Sequence, residues 1–207
     1  VAAGVALALA AAACAAPQGP APAAGAAALA LVAPDGTAVP LDELRGGRDA
    51  LVLVFWSGTC PCVRRYQERV DALLDRWPAE RVRVVGVSSN AGEGLADALR
   101  VARERAVRLP LYRDPGGRLA EAVGARSTPT VAVLDAGGRL RFLGWLDNER
   151  VAGDPRREPW LDRAIAGVLE GGTGFAPRTP TYGCVITRSL FEAGSCHEVP
   201  TDERKTP

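Results

Sequence analysis

The sequence predicts an α/β domain with a central mixed β-sheet flanked by helices, and three observations predict it. "LVLVF", residues 51–55, is an unbroken apolar run, as expected of a strand buried on both faces. After it, Val63, Tyr66, Val70, Leu74 and Trp77 recur at three- and four-residue spacing, the mark of a helix with one apolar face, before a second β-type run, "VRVVGV" at 82–87. Strand, short crossover and strand imply a right-handed parallel pair. Further on, "VAVLDAGGRLRFLGW" reads as an antiparallel hairpin turning at Asp135 to Gly138. Parallel and antiparallel pairs in one helix-covered sheet make it mixed.

The remaining elements follow in order. "ALALVAPDGTAVPL" suggests a strand, a turn at Asp35-Gly36 and a second short strand. The first helix should end before Pro78, because the residue before a proline avoids helical backbone. "GLADALRVARERA" is helical, with Leu95, Leu99, Ala102 and Ala106 on one face, and "RLAEAVG" is a shorter helix. "EPWLDRAIAGVLEGG" closes the pattern as a helix, with Leu161, Ile165 and Val168 inward and glycines ending it.

The chain has 207 residues, a net charge of +1 and 47% hydrophobic residues, which suits one domain with extra segments. Basic charge is scattered among acids and forms no block, so nothing points to nucleic acid. The ends differ from the middle. "VAAGVALALAAAAC" resembles the apolar core of a secretory signal, and it is too short for a comfortable membrane span. Cys14 after three alanines is a candidate lipidation site, and "APQGPAPAAGAA" reads as a flexible tether. The expected division is therefore 1–28 signal peptide and tether, 29–171 folded domain, and 172–207 a Pro/Thr-rich extension. Export to the periplasm, or a membrane tether through the N-terminus, would place the cysteines where disulfides persist.

The chemistry concentrates in "FWSGTCPCVRRY", residues 55–66. A cysteine between a buried strand and a helix faces unpaired N–H groups and the positive end of the helix dipole, which favour thiolate over thiol. Pro61 suits the first helical position, where its missing N–H costs nothing. Cys60 is thus the expected cap, the lower-pKa and more exposed sulfur, with Cys62 just inside the helix. A disulfide between residues two apart would be strained, and strained bridges are oxidising and labile. In "RSTPTVAVLD", Thr128-Pro129 stands just before an apolar strand, and X–Pro bonds are the common carriers of cis peptides.

"FWSGTCPC" with its helix, "VVGVSSN", "STPT" and "VLDAGGRLRFLGW" together resemble the thioredoxin-like superfamily. They are most similar to its redoxin branch, the alkyl hydroperoxide reductase/thiol-specific antioxidant family, as is the opening "APDGTAVPLDELRGGRDALVLVF". The resemblance covers Leu29 to Gly171. It implies a thioredoxin fold, Cys60 as the attacking sulfur, and a cis Pro129 packed against the cysteine turn. Two departures matter. Val63 stands where a thioredoxin has its second cysteine. Val52 stands where a peroxiredoxin has a proline, although Ser57 fits the Thr/Ser three before its reactive cysteine.

The reading that follows is an exported thiol–disulfide oxidoreductase. Cys60 attacks, Cys62 resolves, and Thr128 and Pro129 present backbone to a substrate. The substrates are protein or small-molecule disulfides and thiols, served by a redox donor, and no cofactor is needed. The alternatives are an antioxidant thiol peroxidase using Cys60, and a copper-binding or structural module. The last rests on the cysteine pair and His197, since thiolates select Cu(I). In the extension, Cys184 and Cys196 suit either a structural disulfide or, for Cys184, a resolving thiol. "RTPTYGCVI" resembles an extension of some redoxin-family proteins. Cys62, tethered beside Cys60, is expected to outcompete a tail thiol whose loop spans more than a hundred residues.

Overall fold

The computed structural model describes residues 29–149, 154–172 and 175–188. The short opening hairpin is β1 (Ala30–Val32) and β2 (Ala38–Pro40), joined by a turn in which Gly36 takes φ +87°. Helix α1 (Leu41–Arg45) leads to β3 (Ala50–Phe55). Then come α2 (Pro61–Asp71), α3 (Leu73–Arg76), β4 (Val82–Ser88), α4 (Leu95–Glu104) and β5 (Leu111–Arg113). A 3₁₀ turn precedes α5 (Arg118–Val123), followed by β6 (Ser127–Thr128), β7 (Thr130–Asp135), β8 (Leu140–Gly144), α6 (Trp160–Leu169) and β9 (Cys184–Val185).

Seven strands form one sheet in the order β2-β1-β5-β4-β3-β7-β8, and β6 pairs with β9 separately. β3 runs parallel to β4 and antiparallel to β7, so the sheet is mixed as predicted. Side chains of a strand alternate between faces, and β3 shows this directly. Ala50, Val52 and Val54 join one core with residues of α2, α4 and α6, including Val63, Ala98 and Ile165. Leu51, Leu53 and Phe55 join the other, with Leu41 and Leu44 of α1 and Leu119 and Val123 of α5. Helices therefore cover both faces, which is why the strand reads as continuous apolar sequence.

Three details differ from the sequence expectation. The first helix breaks at Ala72 into α2 and α3 before Trp77 turns extended ahead of Pro78. Helix α4 stops at Glu104, and its buried face is Ala98 and Ala102, with Leu95 and Leu99 at its margin. Ala106 lies outside the helix and is exposed, because the chain leaves α4 through Ala106 at φ +52°. The strand β5, between β1 and β4, had no expectation attached to it.

Gly86 of β4 is required by close approach. A Cβ there would meet Leu111 Cδ2 at 2.4 Å and Leu109 Cδ2 at 2.8 Å. Gly86→Val should therefore overpack this face and cost about 1–3 kcal/mol in urea unfolding, despite valine's strand preference. A neutral or stabilising result would mean that the leucines yield freely.

Candidate active site

The end of β3 delivers the chain to the cysteine turn. Trp56 N–H donates to the Val87 carbonyl at 2.9 Å, carrying the strand pairing one residue further, and Cys60 N–H closes the turn on Ser57 O at 3.3 Å. The turn is pinned from the side by Glu93, whose Oε1 accepts the Gly58 N–H at 2.6 Å. A Cβ at Gly58 would lie 2.9 Å from both that oxygen and Val101 Cγ1, so the approach depends on glycine. Cys60 is the N-cap of α2, with extended backbone at φ −81° and ψ 118°, and Pro61 follows at the first helical position. Cys62 is the next residue.

Across from the turn, the Thr128–Pro129 peptide is cis. The Cys60 thiol donates to the Thr128 carbonyl at 3.2 Å. Cys60 is only 1% exposed and Cys62 partly so, the reverse of the expected exposures. The cause is a cover that the strand–turn–helix pattern alone does not contain: β6 on one side and the C-terminal extension over both.

The described residues of that extension, 175–188, are stitched to the domain. Leu143 N–H donates to Pro177 O at 3.0 Å, Thr179 N–H returns to Leu143 O at 3.1 Å, and Trp145 N–H donates to Thr179 Oγ1 at 3.1 Å. The Tyr182 ring packs edge-on against Trp145 at 5.0 Å. Then β9 runs antiparallel to β6, with Cys184 opposite Thr128 and Val185 opposite Ser127. Ile186 N–H donates to Arg126 O at 2.9 Å, and its side chain is buried in the second core. Ala91 N–H donates to Thr187 O at 2.7 Å to close the strap. Cys184 thus joins Cys60 and Cys62, and all three are free thiols.

The charges of the three sulfurs are linked. Burial opposes ionisation of Cys60, but donors outweigh it: the Cys184 thiol, the Thr128 hydroxyl, and the N–H groups of Val63 and Cys184. They hold Cys60 below the ordinary thiol value. The Thr128 hydroxyl is buried with no hydrogen-bond partner among the described residues while Cys60 is a thiol, which leaves it free to turn to the thiolate. Cys62 is pushed up by burial and then by the charge of Cys60 beside it. Cys184 is pushed up to about 12, by burial first and then by its hydrogen bond to Cys60 and the charges of both other sulfurs. Of the three sulfurs, Cys60 is the one whose thiolate the surroundings favour.

Of the residues singled out in the sequence, the structure brings together Cys60, Cys62, Thr128, Pro129 and Cys184. Cys14, Cys196 and His197 lie outside the described residues, and with them the Cys184–Cys196 pairing and the copper set. Sequence reasoning missed Glu93 and Gly183. Glu93 had a faint signal, as the acid of the "NAGEG" loop at the C-terminal end of a parallel strand, where α/β sites gather. Gly183, immediately before Cys184, takes φ +136°, and a Cβ there would fall 1.9 Å from Thr128 O.

A mixed sheet with helices on both faces and a cysteine capping the helix after a central strand define a thioredoxin-like fold. The alignment to the AhpC/TSA family model runs over residues 20–143, more than half of the chain, and the chain belongs to that family. It is 26% identical over 106 residues to the thiol-disulfide oxidoreductase ResA of Halalkalibacterium halodurans, a match that covers 51% of this chain and 58% of that protein. Among solved structures it is similar to a hypothetical protein of Sinorhizobium meliloti 1021, at a TM-score of 0.68 and 24% identity over 78% of this chain and 91% of that one. It is also similar to the pneumococcal exposed lipoprotein thioredoxin Etrx1 of Streptococcus pneumoniae, at a TM-score of 0.50 and 24% identity, covering 67% of this chain and 98% of that one.

Proposed function

We propose that the chain is an exported thiol–disulfide oxidoreductase in which Cys60 is the nucleophile and Cys62 its neighbouring redox partner. The observation that carries this reading is the position of Cys60. It caps α2 ahead of Pro61, beside the cis Thr128–Pro129 peptide whose Thr128 carbonyl accepts its thiol at 3.2 Å, and the donor groups around it favour its thiolate over the cost of burial. Cys60 attacks one sulfur of a substrate disulfide, the other sulfur leaves as a thiolate, and Cys62 is placed to displace the bound half by attacking Cys60. Formation of the mixed disulfide discharges Cys60 and removes one reason why Cys62 resists ionisation. Thr128 and Pro129 supply the backbone edge beside the sulfur; β9 pairs with it in this structure, so an extended substrate must displace β9 to pair there. The substrates are protein or small-molecule disulfides and thiols, and a separate redox donor completes the cycle. The kinship with ResA supports the same class of reaction.

The composition of residues 1–28 supports export, with Cys14 as a lipid or tether point. Among the described residues no helix is long and apolar enough to cross a membrane. We divide the chain into a signal and tether at 1–28, the redox domain at 29–171 and the extension at 172–207.

The test is alkylation of each cysteine against pH, followed by peptide mapping, beside turnover of glutathione disulfide and of hydrogen peroxide. Cys60 should react first, with its rate levelling off below the ordinary thiol value of about 8.5, since the rate follows the thiolate fraction. In Cys184→Ala the curve should move to higher pH, because a donor to the Cys60 thiolate is gone. Glutathione disulfide should be consumed in preference to peroxide. If Cys62 ionises first, the roles are reversed; if peroxide is preferred, the chain is a thiol peroxidase.

A further inference from the structure

We propose that Cys184 is a third redox-active thiol, held by β9 in the place of an extended substrate and forming a disulfide with Cys60. This rests on the thiol–disulfide reading of Cys60. Three observations carry it. The first is register. Cys184 stands directly opposite Thr128, the residue whose carbonyl accepts the Cys60 thiol at 3.2 Å. An outside polypeptide pairing with this edge would present its own residue at that place.

The second is construction. The strap is fixed on both sides of Cys184, by Thr179 against β8 and by Ile186 and Thr187 against Arg126 and Ala91. Gly183 lets the backbones touch where any side chain would collide with Thr128 O. The long loop from Cys60 to Cys184 is closed by folding itself, so its entropy no longer separates the two sulfurs when chemistry begins. A bridge from Cys62 to Cys60 crosses one proline, strains against disulfide geometry and is therefore labile toward attack by Cys184 on Cys60.

The third is timing. While Cys60 is a thiolate, its charge and hydrogen bond help keep Cys184 protonated. Once Cys60 is captured in a mixed disulfide, both effects vanish and Cys184 ionises more readily. The step balances as an exchange. The Cys184 thiolate attacks Cys60 Sγ, the Cys60–substrate bond breaks, and the substrate leaves as a thiolate that takes the proton Cys184 lost. Starting from two thiols and a small-molecule disulfide, the products are the Cys60–Cys184 disulfide and two reduced small thiols. The extension is then both an internal substrate and the cover over the edge that outside chains need.

The experiment uses the reduced full chain under anaerobic conditions with glutathione disulfide, quenched with an alkylating agent and digested with trypsin. Cleavage at arginine places Cys60 and Cys62 in the peptide 49–64 and Cys184 in the peptide 179–188. These two peptides should be recovered joined by a disulfide in the wild type, and more abundantly in Cys62→Ser. Gly183→Ala keeps the thiol but displaces its strand, so the joined peptide should fall about tenfold, with glutathione left on Cys60, because the effective concentration of Cys184 is lost. Thermal unfolding of Gly183→Ala checks that the domain itself remains folded. Absence of the joined peptide in both wild type and Cys62→Ser, or its undiminished formation in folded Gly183→Ala, overturns the proposal. If glutathione never attaches to Cys60 in any variant that keeps it, the thiol–disulfide reading fails as well.

Discussion

Cys60→Ser should abolish exchange with glutathione disulfide, lowering the rate by on the order of 10³-fold or more, because a hydroxyl has no accessible anion near neutral pH to act as nucleophile. The site is built to make that anion on sulfur. The N–H groups of Val63 and Cys184, the Cys184 thiol and the Thr128 hydroxyl all favour negative charge on Cys60. None of them lowers an alkoxide far enough to compete. The loss should not be a folding defect. Serine is close in size, and its hydroxyl can still donate to the Thr128 carbonyl that accepts the thiol in the wild type. Thermal unfolding should therefore shift little while turnover disappears. Cys62→Ser is the informative contrast, since it leaves the thiolate and the Cys184 strap in place and should keep measurable exchange. Should Cys60→Ser turn over while Cys62→Ser is dead, the nucleophile is Cys62.

Much of this site was legible because its signals are local. A continuous apolar strand, a Cys-Pro step and a helical stripe lie within thirty residues and specify the cap position of Cys60. The hairpin β7–β8 and helix α6 were legible for the same reason: Asp135 to Gly138 is turn chemistry, and Leu161, Ile165 and Val168 keep helical spacing. What escaped was either too short to show a period or joined over long separations. β5 has three residues, and β6 and β9 two each, so neither alternation nor length marks them. The contact of Glu93 with Gly58 spans 35 positions and leaves no pattern in either segment. The exposure of Cys60 was misjudged because burial there comes from Thr128 and the extension, not from its own turn. Among the described residues of the extension, Ile186 packs into the domain's second core, a long-range contact that the Pro/Thr-rich composition does not announce. Gly183 could have been the clue, since a glycine beside a cysteine in a Pro/Thr-rich stretch is where two backbones are able to meet.

Asp147→Ala should cost about 3 kcal/mol of stability, the lower end of what is lost when one partner of a buried ion pair is removed. Asp147 is 1% exposed, and Arg69 Nη1 lies 2.8 and 2.6 Å from its two oxygens. Arg157 Nε donates to it at 2.9 Å, and the Glu149 N–H at 3.0 Å. Glu149, 7% exposed, adds its own carboxylate at 3.0 Å from Arg69 and 3.3 Å from Arg157. Two acids thus balance two guanidiniums. Arg69 lies over the Tyr66 ring at 4.3 Å, and Tyr66 donates to Glu149 O at 2.7 Å, so the network clamps α2 to the segment after β8. Both arginines keep some contact with water, which screens part of the loss and argues for the lower figure. Alanine would leave two cations facing one carboxylate and a buried N–H without its acceptor. Asp147→Asn should cost less, because its amide oxygen still accepts from Glu149. Urea unfolding at neutral pH measures both variants, with the midpoint falling and the slope unchanged if only the native state is affected. A change below about 1 kcal/mol in Asp147→Ala would show that Glu149 alone suffices to hold both arginines, as for an exposed pair. Cys60 should keep its low pKa in either folded variant, since its donors belong to α2's first turn, β6 and β9, and none to this clamp.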